Sequence, residues 1–284
     1  MTNNSRTVKN VLIQLNAFFK NIIFPPYLYK KLFNLFDSFI SLTKKIFNKK
    51  SRYFKDLKEK GKERVFIIAN GPSLSSVDIL PLATEDVITM NFFIRHKNSN
   101  KIIPKYHVMA DPADFPDAAK NLNKALKINA DHFILHSSSK KVVDKLNIDN
   151  SIFYFNPAFA ALNEYSGGMF DFDAALPRPR SSTQLAMMLA LFLGYKKIYL
   201  LGVDDDQLSN SQQVNLHFYK QSKDELESET SYLTYLDRLY GKAKTFEGYN
   251  VIKRVSDNVG IKIINLNPNS MLDIFEFSTI DDVI

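Results

Sequence analysis

From residue 64 to the C-terminus, short apolar runs alternate with longer stretches in which apolar residues recur at helical spacing. Each apolar run has the length of a strand that is buried on both faces, and the alternation is typical of βαβ units. The pattern predicts an α/β domain with a mostly parallel sheet flanked by helices. The predicted strands are 65–69, 86–90, 106–110, 132–136, 151–155, 197–203 and 261–265.

Two helices stand out in the same part of the chain. Residues 181–193 form a strongly apolar series, followed by Gly194, which can end a helix because glycine adopts left-handed backbone angles easily. A long, charged helix is predicted over roughly 223–259, and a short one over 140–146. The domain is thus expected to contain one strongly apolar helix and one long polar helix.

The first 63 residues differ from the rest in charge. Residues 1–64 hold 15 Lys and Arg against 4 Asp and Glu, a net charge of +11, which leaves −4 for residues 65–284. Bulky apolar residues recur among these positive charges at helical spacing, and Pro25-Pro26 divides the stretch into two helices. The sequence therefore predicts a basic amphipathic helical segment at 1–63 and an α/β domain at 64–284.

A basic amphipathic segment with no run of about 20 apolar residues is typical of a peripheral membrane anchor. The pattern favours attachment to the inner face of the cell membrane through residues 9–60, with the protein in the cytoplasm. No small-residue cleavage site follows, so we do not interpret the stretch as a signal peptide. The alternative is that these helices pack on the domain or on a second copy in a homo-oligomer. Nucleic-acid binding is not expected.

The amino-acid composition excludes several kinds of catalytic and metal-binding chemistry. The absence of cysteine excludes disulfides, thiolate catalysis and cysteine-ligated zinc or iron–sulfur clusters. The 45% hydrophobic content, with 13 Tyr and 23 Phe, supplies ample material for a core. The sequence is that of a folded protein suited to a reducing compartment.

Small and polar residues follow several predicted strands, where open parallel sheets bind their ligands. Glycine at such a turn permits a tight backbone, serine can cap a following helix, and free N–H groups suit a phosphate. A turn without a ligand is the alternative for each segment taken singly. The segments are Asn70-Gly71-Pro72-Ser73 after the first strand, Asn91 after the second, Asp111-Pro112 after the third and Gly202-Val203-Asp204-Asp205-Asp206 after the strand at 197–203.

Five segments together resemble the bacterial CMP-sialic acid-dependent sialyltransferases of the glycosyltransferase family 42 type. Their order and approximate spacing are similar over residues 64–275. The resemblance implies a Rossmann-like catalytic domain that transfers an acidic sugar, with inversion, from a CMP-sugar donor to a glycan or glycolipid acceptor, as in lipopolysaccharide or capsule biosynthesis. The segments are Ile68-Ala69-Asn70-Gly71-Pro72-Ser73-Leu74, Met90-Asn91-Phe92-Phe93, Arg180-Ser181-Ser182-Thr183, residues 193–204 and Asn267-Pro268-Asn269-Ser270-Met271-Leu272.

The resemblance also implies residue roles. The implied donor-binding residues are Asn70, Gly71, Ser73, Asn91, Thr183, Gly202 and Asp204, and Asp111 is added as the end of the third strand. Arg180 is a candidate for contacting the sugar carboxylate or phosphate through two hydrogen bonds. A helix cap for Thr183, a turn former for Asp204 and a solvated charge for Arg180 are the alternatives.

His217 is the catalytic candidate. The resembled enzymes use a histidine in the loop after the Gly-x-Asp strand as general base, and His217 is the histidine found there. An imidazole can take a proton from an acceptor hydroxyl near neutral pH. Half-buried packing between its apolar neighbours Leu216 and Phe218 is the alternative.

The chain departs from the resembled pattern after Asp204. Asp205, Asp206 and Gln207 stand where the resembled enzymes have tyrosines that hold the leaving phosphate, and Tyr219 is the candidate substitute. The donor is therefore left open among CMP-sialic acid, CMP-Kdo and other activated acidic sugars. Three successive aspartates could also hold Mg²⁺ or Mn²⁺. Because the resembled family works without metal, we expect no metal and no other cofactor.

A broader resemblance is to the DUF115 or MptE-like group, through the Gly71-Pro72-Ser73-Leu74 turn and the late Gly-x-Asp strand end. This group includes pterin diphosphokinases and proteins tied to surface glycan assembly. It implies, as alternatives to the transferase, a diphosphokinase that needs metal to neutralise phosphate charge, or a non-catalytic assembly protein.

Overall fold

The computed structural model describes residues 54–57, 63–113, 116–146, 151–208, 217–220 and 234–284. The chain divides into two compact units, Met1–Lys49 and Lys50–Ile284, and every described residue belongs to the second. Most of the basic segment predicted at 1–63, and most of the membrane anchor predicted at 9–60, lies outside the described residues. In its described part, Phe54 and Leu57 are buried in the core of the second unit.

The described strands form one sheet in the order β6-β5-β4-β3-β2-β1-β7-β8-β9, and every pairing is parallel. The chain adds strands outward from β1 to β6 and then returns to place β7 on the other side of β1. The predicted fold class, an α/β sheet of the Rossmann-like kind, is confirmed. The strands are β1 (Arg64–Ile68), β2 (Val87–Met90), β3 (Tyr106–Met109), β4 (His132–His136), β5 (Ser151–Ala161), β6 (Ala175–Arg178), β7 (Lys197–Leu201), β8 (Lys262–Asn265) and β9 (Glu276–Phe277).

All seven strands predicted from the sequence are present, but two edge strands were not predicted. β6 contains a proline, and β9 is only two residues long, so neither has an apolar run. β5 continues to Ala161, beyond the predicted end at 155, because its second half pairs with β6. Edge strands need less apolar sequence than central ones, which explains both omissions.

β1 shows why the central strands read as continuous apolar runs. Val65 and Ile67 face one core cluster, whereas Phe66 and Ile68 face the other, and all four are fully buried. Successive side chains of a strand point to opposite faces, so a strand covered on both sides needs no polar position. The sheet therefore has a core on each face.

The four α-helices of the described residues are α1 (Pro116–Ala125), α2 (Lys140–Val143), α3 (Ser182–Leu193) and α4 (Tyr235–Asn258). α3 is the predicted apolar helix, and only Thr183 within it is not buried. The Ser181 hydroxyl accepts from the Gln184 N–H at its start, and Gly194 ends it with a φ of 85°. α4 begins with a capping box between Thr234 and Asp237. The start predicted near 223 lies outside the described residues.

The turn after β1 leads into a 3-10 helix, Pro72–Ser76, and not into the expected α-helix. The hydroxyls of Ser75 and Ser76 donate to the carbonyls of Pro72 and Ser73, which gives the backbone an alternative to helical bonding. The expectation that Ser73 caps a helix is therefore wrong, since no side chain caps this turn. The other 3-10 helices among the described residues are Phe54–Asp56, Leu80–Thr84, Phe93–Arg95, Ser137–Ser139, Leu162–Glu164 and Ile280–Asp282.

No helix in the described ranges combines the length and the apolar character that crossing a membrane requires.

Replacing the glycine that ends α3 and the glycine inside α4 by alanine should change the stability of the protein in opposite directions. Gly194→Ala forces a Cβ into left-handed backbone and should destabilise the protein by about 1 kcal/mol. Gly241→Ala adds a methyl group to a helix interior where nothing lies within 4 Å, and should stabilise it by about 0.5–1 kcal/mol. Urea unfolding of the two variants measures both changes, and equal signs would contradict the capping role of Gly194.

Candidate functional site

The carboxyl ends of β1 and β7 meet where the strand order reverses, the position at which open α/β sheets bind ligands. The Gly71 N–H donates to the Gly202 carbonyl at 2.8 Å, and Gly202 itself has a φ of 65°. A Cβ on Gly71 would strike the Asp204 carboxylate and lie 2.5 Å from the Gly202 oxygen. Glycine is therefore required at 71 because a side chain would not fit there. Its backbone angles are not the reason, since a φ of −65° suits any residue.

The buried carboxylate of Asp204 joins three segments at this point. Its Oδ2 accepts from the Ser73 N–H at 3.0 Å, and its Oδ1 accepts from the Asn267 side chain at 2.5 Å. Its backbone carbonyl accepts from the Met271 N–H. The N–H groups of Gly71 and Ser73, expected to be free for a phosphate, are therefore already bonded inside the protein.

Two buried oxygen atoms at the same turn have no hydrogen-bond partner among the described residues: Asn70 Oδ1 and Ser73 Oγ. The Asn70 amide is oriented by its Nδ2, which donates to the Met90 carbonyl at 3.3 Å. Buried polar atoms are rarely left unpaired in proteins, so both atoms are candidates for ligand contacts. The oxygens at 70 and 73 can accept hydrogen bonds from a hydroxyl or an amino group.

Asn91 follows β2 in the left-handed region, with a φ of 49°. Its Oδ1 accepts from the Ser182 hydroxyl at 2.9 Å, and that hydroxyl accepts in turn from the Ala110 N–H at 3.2 Å. Non-glycine residues with such angles are uncommon and cluster at functional sites. These bonds join the ends of β2 and β3 to the start of α3. The Thr183 hydroxyl, also predicted, lies 3.6 Å from the Met90 sulfur.

Two predicted residues lie at the margin of this arrangement. Asp111 is exposed one residue after Ala110. Arg180 is also exposed, and its backbone N–H donates to the Gln184 side-chain oxygen at 2.8 Å. Partial burial, and then the neighbouring Arg178, lower the pKa of the Arg180 guanidinium. Within the described ranges that guanidinium forms no ion pair.

The Asp205 carboxylate pairs with an ammonium group that the sequence did not reveal. Lys242 of α4 donates to Asp205 Oδ1 at 2.5 Å and to the Gln207 side chain. Asp205 itself has a φ of 53°. The fully buried Tyr249 also interacts with Asp205, and burial raises the pKa of its phenol well above the usual value, so the phenol stays neutral. Asp204 and Asp205 are thus engaged with protein groups. No cluster of three potential metal-ligating side chains occurs in the described ranges.

The segment 217–220 lies against the turn after β1. The Phe218 N–H donates to the Asn70 carbonyl at 2.9 Å, although 148 residues separate them in sequence. The His217 and Tyr219 rings stack with centroids 5.0 Å apart and an interplanar angle of 18°. The structure therefore brings the predicted catalytic histidine and the predicted substitute tyrosine to the same edge of the sheet as Asn70.

Several residues that hold this arrangement together were missed from the sequence. Ser182, Asn267 and Lys242 each bond a predicted residue or its neighbour across a long sequence separation. Asn267 and Ser182 stood inside segments that carried the resemblance, and that was their only signal. Lys242 and Tyr249 lie on a charged helix whose pattern does not distinguish them from solvent-facing residues.

The role of Asp204 as an internal acceptor can be separated from ligand binding. Asp204→Ala should lower the free energy of unfolding by about 1–3 kcal/mol without any ligand, because the Ser73 N–H and the Asn267 amide lose their acceptor. The exposed Asp273 is the control, and Asp273→Ala should change stability by less than about 0.5 kcal/mol. Urea unfolding measures both, and an unchanged D204A protein would contradict the structural role.

Comparison with known proteins supports the fold. The described domain is similar to the MAf glycosyltransferase from Magnetospirillum magneticum AMB-1, with a TM-score of 0.51 and 16% identity. The match covers 77% of this chain but 34% of that one, so this chain spans about a third of the length of that protein. At this identity the likeness shows the fold alone. No curated protein matches the chain in sequence.

Two sialyltransferases from Campylobacter jejuni also match. CstII, solved with the substrate analogue CMP-3FNeuAc, is 17% identical with a TM-score of 0.43, covering 76% of this chain and 86% of that one. The monofunctional α-2,3-sialyltransferase Cst-I is 17% identical with a TM-score of 0.43, covering 76% and 80%. The sialyltransferases named from the sequence are therefore found among the matches.

A family model described as 6-hydroxymethylpterin diphosphokinase MptE-like matches residues 37–208, more than half of the chain. The match spans β1 to β7 and includes the turn after β1 and the Gly202-Val203-Asp204 strand end. The chain belongs to the 6-hydroxymethylpterin diphosphokinase MptE-like family.

Proposed function

We propose that the chain is a glycosyltransferase that moves an acidic sugar from a CMP-sugar donor to a surface glycan or glycolipid acceptor. The observation that carries the proposal is the hydrogen bond from the Phe218 N–H to the Asn70 carbonyl. It holds His217, a residue able to accept a proton, beside the turn at which the strand order reverses. A base next to a nucleotide-binding turn is the arrangement that a one-step sugar transfer needs.

The proposed reaction is a single displacement. His217 takes the proton of an acceptor hydroxyl, the hydroxyl oxygen forms a bond to the anomeric carbon, and the bond from that carbon to the CMP phosphate oxygen breaks. The electron pair of the broken bond leaves with CMP, and the configuration of the sugar inverts. Asn70 Oδ1 and Ser73 Oγ, the unpaired oxygens of the turn, accept hydrogen bonds from the donor in this scheme.

The other proposed residues lie at the same edge of the sheet. Gly71, Gly202 and Asp204 form the contact between the turn after β1 and the end of β7, and Asn91 and Thr183 lie at the end of β2 and the start of α3. Tyr219, stacked on His217, is proposed to contact the leaving phosphate. Arg180 and Asp111 are proposed to contact the sugar or the acceptor from the margin, since both are exposed.

The diphosphokinase activity that gives the family its description is the competing function. Transfer of a diphosphate group depends on neutralising several phosphate charges, usually by metal ions held on carboxylates. Here Asp204 is bonded to the Ser73 N–H and the Asn267 amide, and Asp205 to Lys242. This use of the carboxylates favours a transferase that works without metal.

The proposed location of the enzyme rests on the sequence of the basic segment. We propose that residues 9–60, which hold 12 Lys and Arg against 3 Asp and Glu, keep the enzyme at the inner membrane surface near a lipid-linked acceptor. A chain that starts at residue 50, where the second compact unit begins, should remain in solution when anionic vesicles are pelleted, whereas the full chain should pellet with them.

Nucleotide preference tests the proposed activity most directly. CMP should raise the melting temperature, because a ligand that binds only the native state stabilises it, and a CMP-sugar should be hydrolysed or transferred in the presence of EDTA. UDP, GDP and ATP are the matched comparisons. A shift with ATP and Mg²⁺ but none with CMP would overturn the transferase in favour of a kinase.

His217→Asn should reduce sugar transfer by about 10²–10⁴-fold, because asparagine cannot accept the proton. Binding of CMP, followed by thermal shift, should be retained, since the Phe218 N–H that anchors the segment is unchanged. The control is His132→Asn at the amino end of β4, away from the carboxyl ends of the strands where His217 lies. This variant should transfer sugar at the wild-type rate. Full activity of H217N would remove the residue from the mechanism.

A further inference from the structure

Arg95 lies between two aromatic rings beside the candidate site, and none of the predicted roles includes it. Its guanidinium carbon is 4.5 Å from the centroid of the Phe92 ring and 4.5 Å from the centroid of the Tyr219 ring. The two rings are nearly perpendicular, with centroids 6.0 Å apart. A guanidinium at these distances is attracted to the face of each ring.

The two rings belong to different parts of the chain. Phe92 and Arg95 lie on the short helical turn that follows β2, whereas Tyr219 belongs to the segment that carries His217. On the same segment, the Phe218 ring packs edge-on against His96 at 5.3 Å. The turn after β2 is thus the surface on which the histidine-bearing segment rests.

A backbone hydrogen bond from the Phe218 N–H to the Asn70 carbonyl joins this segment to the turn after β1. The contact of Arg95 with Tyr219 attaches the segment one residue further along, beyond the contact of the Phe218 ring with His96. Because His217 stacks on Tyr219, fixing the tyrosine ring also fixes the imidazole plane.

We propose that Arg95 is a positioning residue that orients His217 by holding the Tyr219 ring. This inference rests on the proposed function for its effect on catalysis. Arg95 need not touch the substrate for this role, because it acts through the tyrosine ring. Arginine suits the position better than lysine, since its planar group stacks on aromatic faces while keeping its charge.

The test compares Arg95→Met, which keeps the length of the side chain but removes its charge, with Arg95→Lys, which keeps the charge. R95M should lower kcat by about 100-fold, the cost of misplacing a catalytic group, and should change the donor KM by a smaller factor. R95K should recover part of the loss, because an ammonium group is still attracted to the rings. Arg238→Met is the matched control, since Arg238 also lies over an aromatic ring, 5.7 Å from Tyr235, on the exposed start of α4.

A second measurement does not depend on activity. Hydrogen exchange of the peptide that contains residues 217–220 should be faster in R95M than in wild type or R238M, while peptides from β1 and α3 stay protected. Phe92→Leu, which removes one ring of the pair, should increase exchange in the same peptide and covers the case in which R95M does not fold.

Unchanged exchange at 217–220 in folded R95M and F92L would overturn the proposal, as would a KM increase with kcat preserved in R95M. Failure of the proposed function is distinguishable from these results. If wild type transfers no sugar, the transferase is wrong, and the exchange data alone then decide whether Arg95 holds the segment.

Discussion

The close approach of the turn after β1 to the end of β7 is the constraint on which the rest of the site depends. The two backbones are joined by the bond from the Gly71 N–H to the Gly202 carbonyl, and neither position has space for a Cβ. This contact exists because the chain returns to place β7 beside β1. It brings Asp204 within bonding distance of Ser73, a residue 131 positions earlier.

A carboxylate beside the Ser73 N–H changes the chemistry of the turn. In many α/β proteins such a turn offers N–H groups to a phosphate, but here Asp204 already accepts the Ser73 N–H. What remains for a ligand is the carboxamide oxygen of Asn70, which accepts hydrogen bonds, and the hydroxyl of Ser73, which can both accept and donate. The Asn70 oxygen suits a hydroxyl or amino group, whereas the Ser73 hydroxyl can also donate to an oxygen of an anion. The turn can therefore contact a ligand through these two side chains, while the N–H groups of Gly71 and Ser73 are already bonded.

The sequence was most informative where structure is local or buried on both faces. The central strands and α3, ended by Gly194, follow from apolar runs and one glycine. The edge strands β6 and β9 were not predicted, because strands at the edge of a sheet need few apolar residues. The site was predicted as a set of strand ends, and the structure joins most of them. Its connecting residues could not be predicted, because Lys242 and Arg95 act through pairings that only the tertiary fold creates.

Membership of a family described as a diphosphokinase and a fold shared with a glycosyltransferase are compatible, because a fold specifies where a nucleotide binds and not what is transferred. The difference lies in the groups that face the reacting bond. Both reactions remove a proton from an acceptor hydroxyl, but diphosphate transfer also needs concentrated positive charge around its phosphates. In this chain the ammonium of Lys242 is paired with Asp205, and Arg95 lies between two rings. These two contacts join separate segments of the candidate site, and the same edge of the sheet carries the imidazole of His217, the proton acceptor of the proposed transfer.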